Sequence, residues 1–532
     1  MSSRVKYIGL AILVAPLAVG AGLWLLLDRS LPGEAVTVQR TPRIRPDYAG
    51  TVIPPNIAPL NFAIEEPGRA YRVRLHAAQG PDIEIASRHS SIVIPRDQWR
   101  ALLAQNRGGR LEIDIAVQGA DRRWDRFQAL QNSIAQEEID SHLVYRLLGA
   151  IFVNWKHLGI YQRNLENYDE SPILRNTSLG EGCLNCHSFP ANRPDQFSLH
   201  VRPSSRSEFV GGMVLVNGGQ ERRLVTRSAT LPTLPTYTSW HPTAPLAAVV
   251  LSHMKQFMHG AGTEVREVYD LESELAIIHV KTGAVSSSRG IADPDRMETF
   301  PAWSPDGKYL YFCSAPRRGE TPTALPFAGY ETVQYDLRRI HYEVQTDVWG
   351  QPEEVLTAAE TGQSISEPRI SPDGRFLLFC MSHHGAFPVL AADSDLYLLE
   401  LSKTGKDAFR PLKNANSPEA DSWHCWSSNS RWIVFSSKRG NGLFARPHFC
   451  YIDREGNDHK PFVLPQQNAL FYDTYLKTYN VPELVRGPVT ATEEELAQLI
   501  QSSVNSRERE SVPTPEMTSG LVGQAKRDAE GR

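Results

Sequence analysis

The 532-residue chain has no excess of positive charge, because 56 Lys and Arg stand against 60 Asp and Glu and give a formal net charge of −4. A protein that collects phosphate backbones needs a basic surface. We therefore do not expect nucleic acid as a partner. Disorder of the whole chain is also excluded, since 41% hydrophobic and 22% charged residues are typical of a globular protein with real cores.

Cysteine is scarce, with 6 in the chain, and one close pair is formed by Cys183 and Cys186. The others stand alone at Cys313, Cys380, Cys425 and Cys450. A zinc site needs four ligands, normally from a second close Cys/His pair, and the isolated cysteines do not supply one. A thioredoxin-like dithiol should open a helix in a βαβ pattern, which the flanking sequence does not offer. We expect the four isolated cysteines to be inert, buried strand residues.

The close pair is followed directly by a histidine in Gly182-Cys-Leu-Asn-Cys-His187, which contains the c-type haem attachment pattern C-x-x-C-H. Two thiols three residues apart can reach the two vinyl groups on one edge of a porphyrin, and the adjoining histidine can bind the iron. The sequence therefore predicts one covalent haem c, attached at Cys183 and Cys186, with His187 as the proximal iron ligand.

The motif does not specify the ligand on the other side of the iron. An alignment with the repeats described below puts the motif at the leading turn of a blade and His200 on the strand that follows. On that strand His200 would face opposite to Leu199 and could approach the haem. Met213 is the alternative, since a thioether raises the reduction potential relative to a second histidine. Both also have an ordinary reading as packed side chains.

Residues 1–29 are predicted to be an N-terminal transmembrane helix that anchors the chain. Arg4 and Lys6 precede a mostly apolar run from Tyr7 to Leu27, whose length of roughly 20 residues suits a hydrocarbon core. No clear cleavage site follows, so we prefer a retained anchor to a cleaved signal peptide. The leading cations orient the body outward. We expect a single-pass protein of the bacterial inner membrane with its main body in the periplasm.

The remainder divides into further segments. Residues 30–50 form a Pro-rich linker, and alternating apolar residues predict a small β-rich domain over 51–132, with a helix from Asp97 to about Gln105. Residues 133–182 are predicted to be a helical linker and propeller entry, because apolar residues recur every fourth position from Ile139 to Ile151. A short helix after Glu493 and a largely disordered, charged tail complete residues 488–532.

The second half of the chain contains an internal repeat. Its four copies begin at Trp240-His-Pro-Thr, Trp303-Ser-Pro-Asp-Gly, Ile370-Ser-Pro-Asp-Gly and Trp426-Ser-Ser-Asn. Each is a turn that leads into an apolar strand, since proline presets φ and glycine tolerates a positive φ. The turns resemble the repeats of TolB-type β-propellers. We predict a mainly β chain with the haem segment at 183–202 in the first recognisable blade, and the rest of a TolB-like propeller of about six blades over 203–487.

Together with the haem motif, these repeats resemble a family of membrane-anchored bacterial TolB-like (PD40-repeat) propeller proteins, often labelled cytochrome c biosynthesis proteins. The strings that carry the resemblance are Ile53-Pro-Pro-Asn-Ile-Ala-Pro-Leu-Asn-Phe62, Ile160-Tyr-Gln-Arg-Asn-Leu165, Cys183-Leu-Asn-Cys-His-Ser-Phe189, Leu199-His-Val-Arg202 and Asn480-Val-Pro-Glu-Leu484. In that family a histidine before a Val/Phe-Arg pair follows the haem motif, so the resemblance implies His200 as the distal ligand. Met213 stands where similar sequences often have Thr, which keeps His/Met ligation open.

Three functions fit these expectations. The first is one-electron transfer by a monohaem c-type cytochrome with periplasmic redox or structural protein partners. The alternative is a binding or sensory scaffold, whose propeller captures a polymer or protein while the haem reports redox state or gas. A haem oxidoreductase comes third, because it needs a vacant iron position together with acid/base residues.

Overall fold

The computed structural model describes residues 30–149, 157–205, 207, 209–218, 221–228, 231–258, 266–317, 329–403 and 408–502. The chain divides into two compact units. The first comprises the residues up to Gln136 together with Pro465–Thr474, and the second comprises Glu137–Leu464 and the residues from Tyr475 onward. The predicted anchor and most of the predicted tail lie outside the described residues. Among the described residues, no helix is long and apolar enough to span a membrane.

The first unit is β-rich, as predicted. Its strands are β1 Val36–Val38, β2 Ile44–Arg45, β3 Val52–Ile53, β4 Phe62–Ile64, β5 Ala70–Ala77, β6 Ile83–Ser87, β7 Ser91–Ile92, β8 Arg110–Gln118, β9 Trp124–Phe127 and β10 Leu130–Ile134. The larger sheet has the order β1-β9-β8-β10-β3, with β5 joining β8 to β6, and β2-β4-β7 form a smaller sheet. Alternate residues of β5 are buried, which is the predicted pattern. The predicted helix is present at Arg96–Gln105, and a short helix at Phe471–Thr474 belongs to the same unit.

The second unit is built from six four-stranded sheets among the described residues. We call them blades 1 to 6. Blade 1 contains β11 His142–Gly149, β12 Gly159–Asn164, β13 Glu170–Arg175 and β34 Lys477–Val485; blade 2 contains β14 Cys183–Ser188, β15 Phe197–Arg202, β16 Gly212–Asn217 and β17 Glu221–Thr226; blade 3 contains β18 Pro235–Trp240, β19 Leu246–Met258, β20 Arg266–His279 and β21 Val285–Ser286. Blade 4 contains β22 Arg296–Trp303, β23 Tyr309–Pro316, β24 Asp336–Glu343 and β25 Val348–Leu356; blade 5 contains β26 Ser364–Ile370, β27 Phe376–Ser382, β28 Asp395–Glu400 and β29 Phe409–Pro411; blade 6 contains β30 Asp421–Trp426, β31 Trp432–Ser437, β32 Arg446–Tyr451 and β33 Phe462–Val463.

The six blades form a closed ring, which makes this unit a β-propeller. One strand from each blade packs beside the corresponding strands of its neighbours, in the cyclic order β34, β14, β18, β22, β26 and β30. Blade 1 takes this inner strand from the end of the unit and its other three from the start, so pairing of β34 with β11 closes the ring. Apolar clusters lie between successive blades from blade 1 to blade 6. The core is therefore a set of layers between sheets.

The repeated turns join the first and second strands of their blades, as predicted. Ser304 shows how they work: its carbonyl accepts the Gly307 N–H at 2.8 Å, and its hydroxyl accepts the Tyr309 N–H at 2.9 Å. Ser371 repeats both contacts in the next blade. Gly307 has a φ of +73°, which is why glycine closes the turn.

The prediction of a helical linker over 133–182 is wrong for the described residues. Residues 142–149 form β11, and β12 and β13 follow, so the propeller begins a whole blade earlier than expected and the haem segment lies in blade 2. A spacing of four is also an even number, so residues such as Leu143 and Leu147 share one face of a strand as well as one face of a helix. The interior residues of β11 are buried on both faces of the sheet, so the strand shows no alternation.

The remaining short elements lie between strands or after the last blade. They are the helix Ala358–Thr361 and the 3-10 helices Asn176–Leu179, Pro190–Asn192, Tyr330–Thr332 and Pro388–Leu390. The predicted C-terminal helix is present at Glu493–Gln501 and contacts blades 1 and 2 through β13 and β17. Thr492 and Glu495 cap its N-terminus reciprocally.

Candidate functional site

Every inner strand of the propeller has a β-bulge at the same point. The bulge residues are Cys186, Tyr237, Phe300, Glu367, Trp423 and Val481. All six line one narrow cavity at the centre of the ring, with a volume of about 30 Å³, which we call the axial cavity. Five of them have a positive φ, between 37° and 54°, and Cys186 does not. Bulges and strained backbone concentrate at functional sites, so this ring is the first place to look for chemistry.

A second and larger cavity lies next to the axial cavity and shares Tyr237 and Trp423 with it. It has a volume of about 400 Å³. Four cationic side chains line it, and we therefore call it the basic cavity: Arg146, Arg202, Lys255 and Arg266. The basic cavity is large enough for a small molecule, whereas the axial cavity has room for about one water molecule.

The haem motif lies on β14, the inner strand of blade 2, and not at the leading turn that the alignment with the repeats predicted. Cys183 lines the basic cavity, and Cys186 lines the axial cavity. Both are free thiols. The Arg146 guanidinium is 3.6 Å from Cys183 Sγ through Nη2, and burial raises the pKa of the Cys186 thiol. The two predicted attachment residues therefore both face the centre of the propeller.

His187 also lines the axial cavity and is 3% exposed. Its ring nitrogens lie near the backbone of Val144 and Val481 without a well-formed hydrogen bond. Burial lowers the pKa of His187 to about 3, so the imidazole is neutral, which is the form that binds metal ions. A buried polar group that lacks a good partner costs about 1–3 kcal/mol. Two free thiols and a neutral imidazole are the donor set of a covalently attached haem, and a haem would need more space than the axial cavity provides.

The structure does not bring His200 or Met213 together with His187. In the pairing of β14 with β15, His187 lies opposite Leu199, whereas His200 lies opposite Asn185 and, on the other side, opposite Met213. Directly paired residues share a face of the sheet. His187 therefore points to the face that packs on blade 1, and the two predicted distal ligands share the other face.

On that second face, both predicted ligands contact one residue of blade 3. Thr238 Oγ1 is 3.4 Å from His200 Nε2 and donates to Met213 Sδ at 3.4 Å. Burial lowers the pKa of His200 to about 3, and its Nδ1 has no hydrogen-bond partner. The two candidates thus form one cluster with Thr238, and the register keeps both on the side of the sheet away from His187.

A group that the sequence analysis missed lies across the same cavity. Glu367 and His424 line the axial cavity, and Cys380 lies behind them. All three are buried, and their ligand atoms lie within 4.8 Å of one another. Burial raises the pKa of Glu367 to about 8 and lowers the pKa of His424 to about 3. Cys380 is buried as predicted, and burial raises the pKa of its thiol, but the sequence did not reveal the polar side chains beside it.

Comparison with known proteins adds little to this geometry. No protein-family model and no curated protein matches the chain. An oligogalacturonate lyase from Vibrio parahaemolyticus is 11% identical, with a TM-score of 0.31, over 74% of this chain and 100% of its own. Prolyl oligopeptidase B from Galerina marginata is 10% identical, with a TM-score of 0.31, over 53% of this chain and 38% of its own. A 6-phosphogluconolactonase homologue from Bacteroides uniformis is 12% identical, with a TM-score of 0.29, over 63% and 99%.

These likenesses are too distant to carry an argument, so the class of protein is defined by strand order and by the central residues. The chain is a mainly β protein whose second unit is a six-bladed β-propeller. Two sets of side chains of metal-ligating types lie at its centre: Cys183, Cys186 and His187 from blade 2, and Glu367 and His424 with Cys380 behind them from blades 5 and 6.

Proposed function

We propose that this protein is a monohaem c-type cytochrome that transfers single electrons to and from protein partners. The observation that carries the proposal is the C-x-x-C-H motif at the centre of the propeller, where both thiols are free and the adjoining His187 is buried without a well-formed hydrogen bond. A buried imidazole without a good hydrogen-bond partner lowers the stability of the folded protein unless a ligand binds to it. A covalent haem accounts for all three side chains together.

Residues of the two cavities would hold different parts of a haem. Cys183 and Cys186 would form the thioethers, and His187 would bind the iron. The side chains of the basic cavity offer four cationic groups for the two haem propionates. When bound, a haem c supplies a one-electron couple whose potential depends on axial ligation and burial.

The cellular setting is part of the same proposal. The apolar run from Tyr7 to Leu27 supports a single-pass anchor in the bacterial inner membrane, with the propeller in the periplasm. The Ser-Pro-Asp-Gly turns support a propeller of TolB type, related to the membrane-anchored haem-motif proteins that the sequence resembles. Periplasmic redox or structural proteins are the proposed partners.

Expression of the full-length chain in a bacterial host with c-type haem attachment machinery tests the proposal. The denatured parent chain should retain one haem, as measured by intact mass and by the pyridine haemochrome spectrum. The double variant Cys183→Ala/Cys186→Ala should retain none. Cys313→Ala is the matched control, since it removes a buried thiol in another blade and should leave haem content unchanged. A parent chain without covalent haem would overturn the proposal.

One observation favours the alternative of a haem-bearing binding or sensory scaffold. His200 and Met213 point away from His187, which leaves the iron position opposite His187 to an external ligand. Carbon monoxide distinguishes the two functions in the haem-loaded protein. A spectrum that carbon monoxide does not change supports electron transfer, whereas ready binding supports the sensory scaffold.

A further inference from the structure

Three neighbouring strands position the group of Glu367, Cys380 and His424. Glu367 is the bulge residue of β26, Cys380 lies on β27 of the same blade, and His424 follows the bulge of β30 in blade 6. The group therefore bridges blades 5 and 6. It uses none of the residues that would hold a haem.

The two distances from Cys380 to the other members of the group match those between the ligands of a tetrahedral zinc ion. Cys380 Sγ is 3.6 Å from Glu367 Oε2 and 3.6 Å from His424 Nδ1. Zinc bonds of about 2.3 Å to sulfur and about 2.0–2.2 Å to nitrogen or oxygen, at the tetrahedral angle, place the ligand atoms about 3.5–3.6 Å apart. Thiolate, imidazole and carboxylate are also the ligand types that zinc uses.

Hydrogen bonds from neighbouring backbone groups orient His424 and Glu367, as is common for metal ligands. His424 Nε2 donates to the Leu378 carbonyl at 3.1 Å, which leaves Nδ1 with its lone pair towards Cys380. The Trp423 N–H donates to Glu367 Oε2 at 2.7 Å and holds that carboxylate in place. The hydrogen bonds within the group leave one polar atom unpaired. Glu367 is 5% exposed, and its Oε1 has no hydrogen-bond partner.

We propose that Glu367, Cys380 and His424 bind a zinc ion that ties blade 5 to blade 6, with a fourth coordination position open to the axial cavity. Three protein ligands and one open position are typical of zinc sites that exchange a water or substrate. Glu367 and His424 line that cavity directly, so the open position faces the centre of the ring. Binding displaces the proton of the Cys380 thiol and any proton on the Glu367 carboxyl into solvent, since zinc takes the deprotonated ligands.

The preceding repeat supplies a matched control. Cys313 pairs with the residue before the bulge of β22, just as Cys380 pairs with the residue before the bulge of β26, and both thiols are fully buried. At the positions equivalent to Glu367 and His424, however, the Cys313 repeat offers Phe300 and Pro368. Cys313 thus has the same burial and strand position, but it meets the Glu367 backbone and has no carboxylate–imidazole pair of its own.

Cobalt(II) titration of the full-length chain tests the site, with Cys183→Ala/Cys186→Ala as the background so that the haem motif cannot compete. We expect one cobalt per chain, with a thiolate-to-cobalt charge-transfer band that zinc displaces. Cys380→Ser should abolish the band and weaken zinc binding by at least 100-fold, whereas Cys313→Ser should change neither. X-ray absorption of the zinc form should show one sulfur among its ligands.

His424→Gln and Glu367→Gln keep the result interpretable if Cys380→Ser does not fold, as judged by circular dichroism. Each should weaken zinc binding while Cys380 remains available. The proposal is overturned if the background chain gives no charge-transfer band, or if the band survives in folded Cys380→Ser. Because the background carries no haem motif, this outcome is independent of whether the parent chain attaches haem.

Discussion

Blades 2 and 6 each place a histidine directly after the bulge of the inner strand. His187 and His424 are 3% and 4% exposed, and both line the axial cavity. Their partners differ. The ring nitrogens of His187 lie near the backbone of Val144 and Val481 without a well-formed hydrogen bond, whereas the two ring nitrogens of His424 contact Cys380 and the Leu378 carbonyl. The repeat therefore sets the position of the imidazole. Side chains of the neighbouring blade determine which partners it contacts.

Replacement of each histidine by alanine, with both the haem signal and the cobalt signal measured, is the strongest test of this comparison. His187→Ala should change the haem spectrum of the loaded parent chain from that of an imidazole-bound iron, and added imidazole should restore it. His424→Ala should leave the haem spectrum unchanged. In the haem-free background, His424→Ala should instead remove the cobalt charge-transfer band, and His187→Ala should not. The measurement is absorption spectroscopy of four matched samples.

The distinction between the two histidines is contradicted if His187→Ala or His424→Ala changes both the haem spectrum and the cobalt band. A loss of haem signal in His424→Ala would mean that the two sets of side chains form one site around the axial cavity. A loss of the cobalt band in His187→Ala would mean that His187 supplies the fourth zinc ligand. Either result would be visible without any assumption about the partner protein.

The sequence draws attention to one of these two sets of side chains and not to the other, for a physical reason. Cys183, Cys186 and His187 are close in the chain, so a local motif identifies them. Glu367, Cys380 and His424 come from three strands, and the ring of blades brings them together only after folding. Cys380 was predicted to be an inert packing residue because it occupies the same repeat position as Cys313, and the difference lies in what the adjacent strands place beside each thiol.

The fold was predictable where the sequence repeats and unpredictable where it does not. The turns at Ser304 and Ser371 have the predicted geometry because Pro and Gly constrain the backbone locally. Blade 1 was missed because it lacks such a turn and takes β34 from the other end of the unit. The bulge of β14 was equally hidden, and it shifts the register that decides which face His187 and His200 occupy.

Replacement of His187 and of His424 by leucine should change the free energy of unfolding in opposite directions. In the haem-free background with a chelator present, His187→Leu removes a buried imidazole that has no well-formed hydrogen bond and should raise the free energy of unfolding by about 1 kcal/mol. His424→Leu leaves the Leu378 carbonyl and Cys380 without their partner and should lower it by about 2–4 kcal/mol. Urea denaturation of the two variants measures the difference. Two changes of the same sign would contradict the hydrogen-bond assignment of one histidine.

The distinction between paired and unpaired buried groups extends to carboxyls and predicts a pH effect. Glu298 is 1% exposed, its Oε2 has no hydrogen-bond partner, and burial raises its pKa to about 8. The folded state then holds a proton that the unfolded chain releases near its ordinary pKa of 4.5. This group's contribution to stability is therefore greatest below that value and declines as the pH rises to about 8, by up to about 1.4 kcal/mol per pH unit.

Glu298→Gln should remove that decline, as measured by urea denaturation between about pH 5 and about pH 8. Glu66 provides the opposite case, because its hydrogen bond to Arg40 lowers its pKa. Its contribution is present above the unfolded pKa and is lost as the pH falls, so Glu66→Gln should leave the slope above about pH 5 unchanged. A slope that persists in Glu298→Gln would assign the decline to other buried acids, of which Asp270 has a pKa of about 7.

The smallest expected effect concerns the two residues that the sequence proposed as distal ligands. His200 and Met213 share a face of blade 2 with Thr238 of blade 3, and His187 lies on the other face. An iron bound by His187 would reach neither without a change in the register of β14. We therefore expect His200→Ala and Met213→Ala to keep the haem content and the Soret position of the parent. A shift in His200→Ala alone would restore the sequence-based assignment and show that haem attachment rearranges β14, because no other change brings the two imidazoles to one side of the sheet.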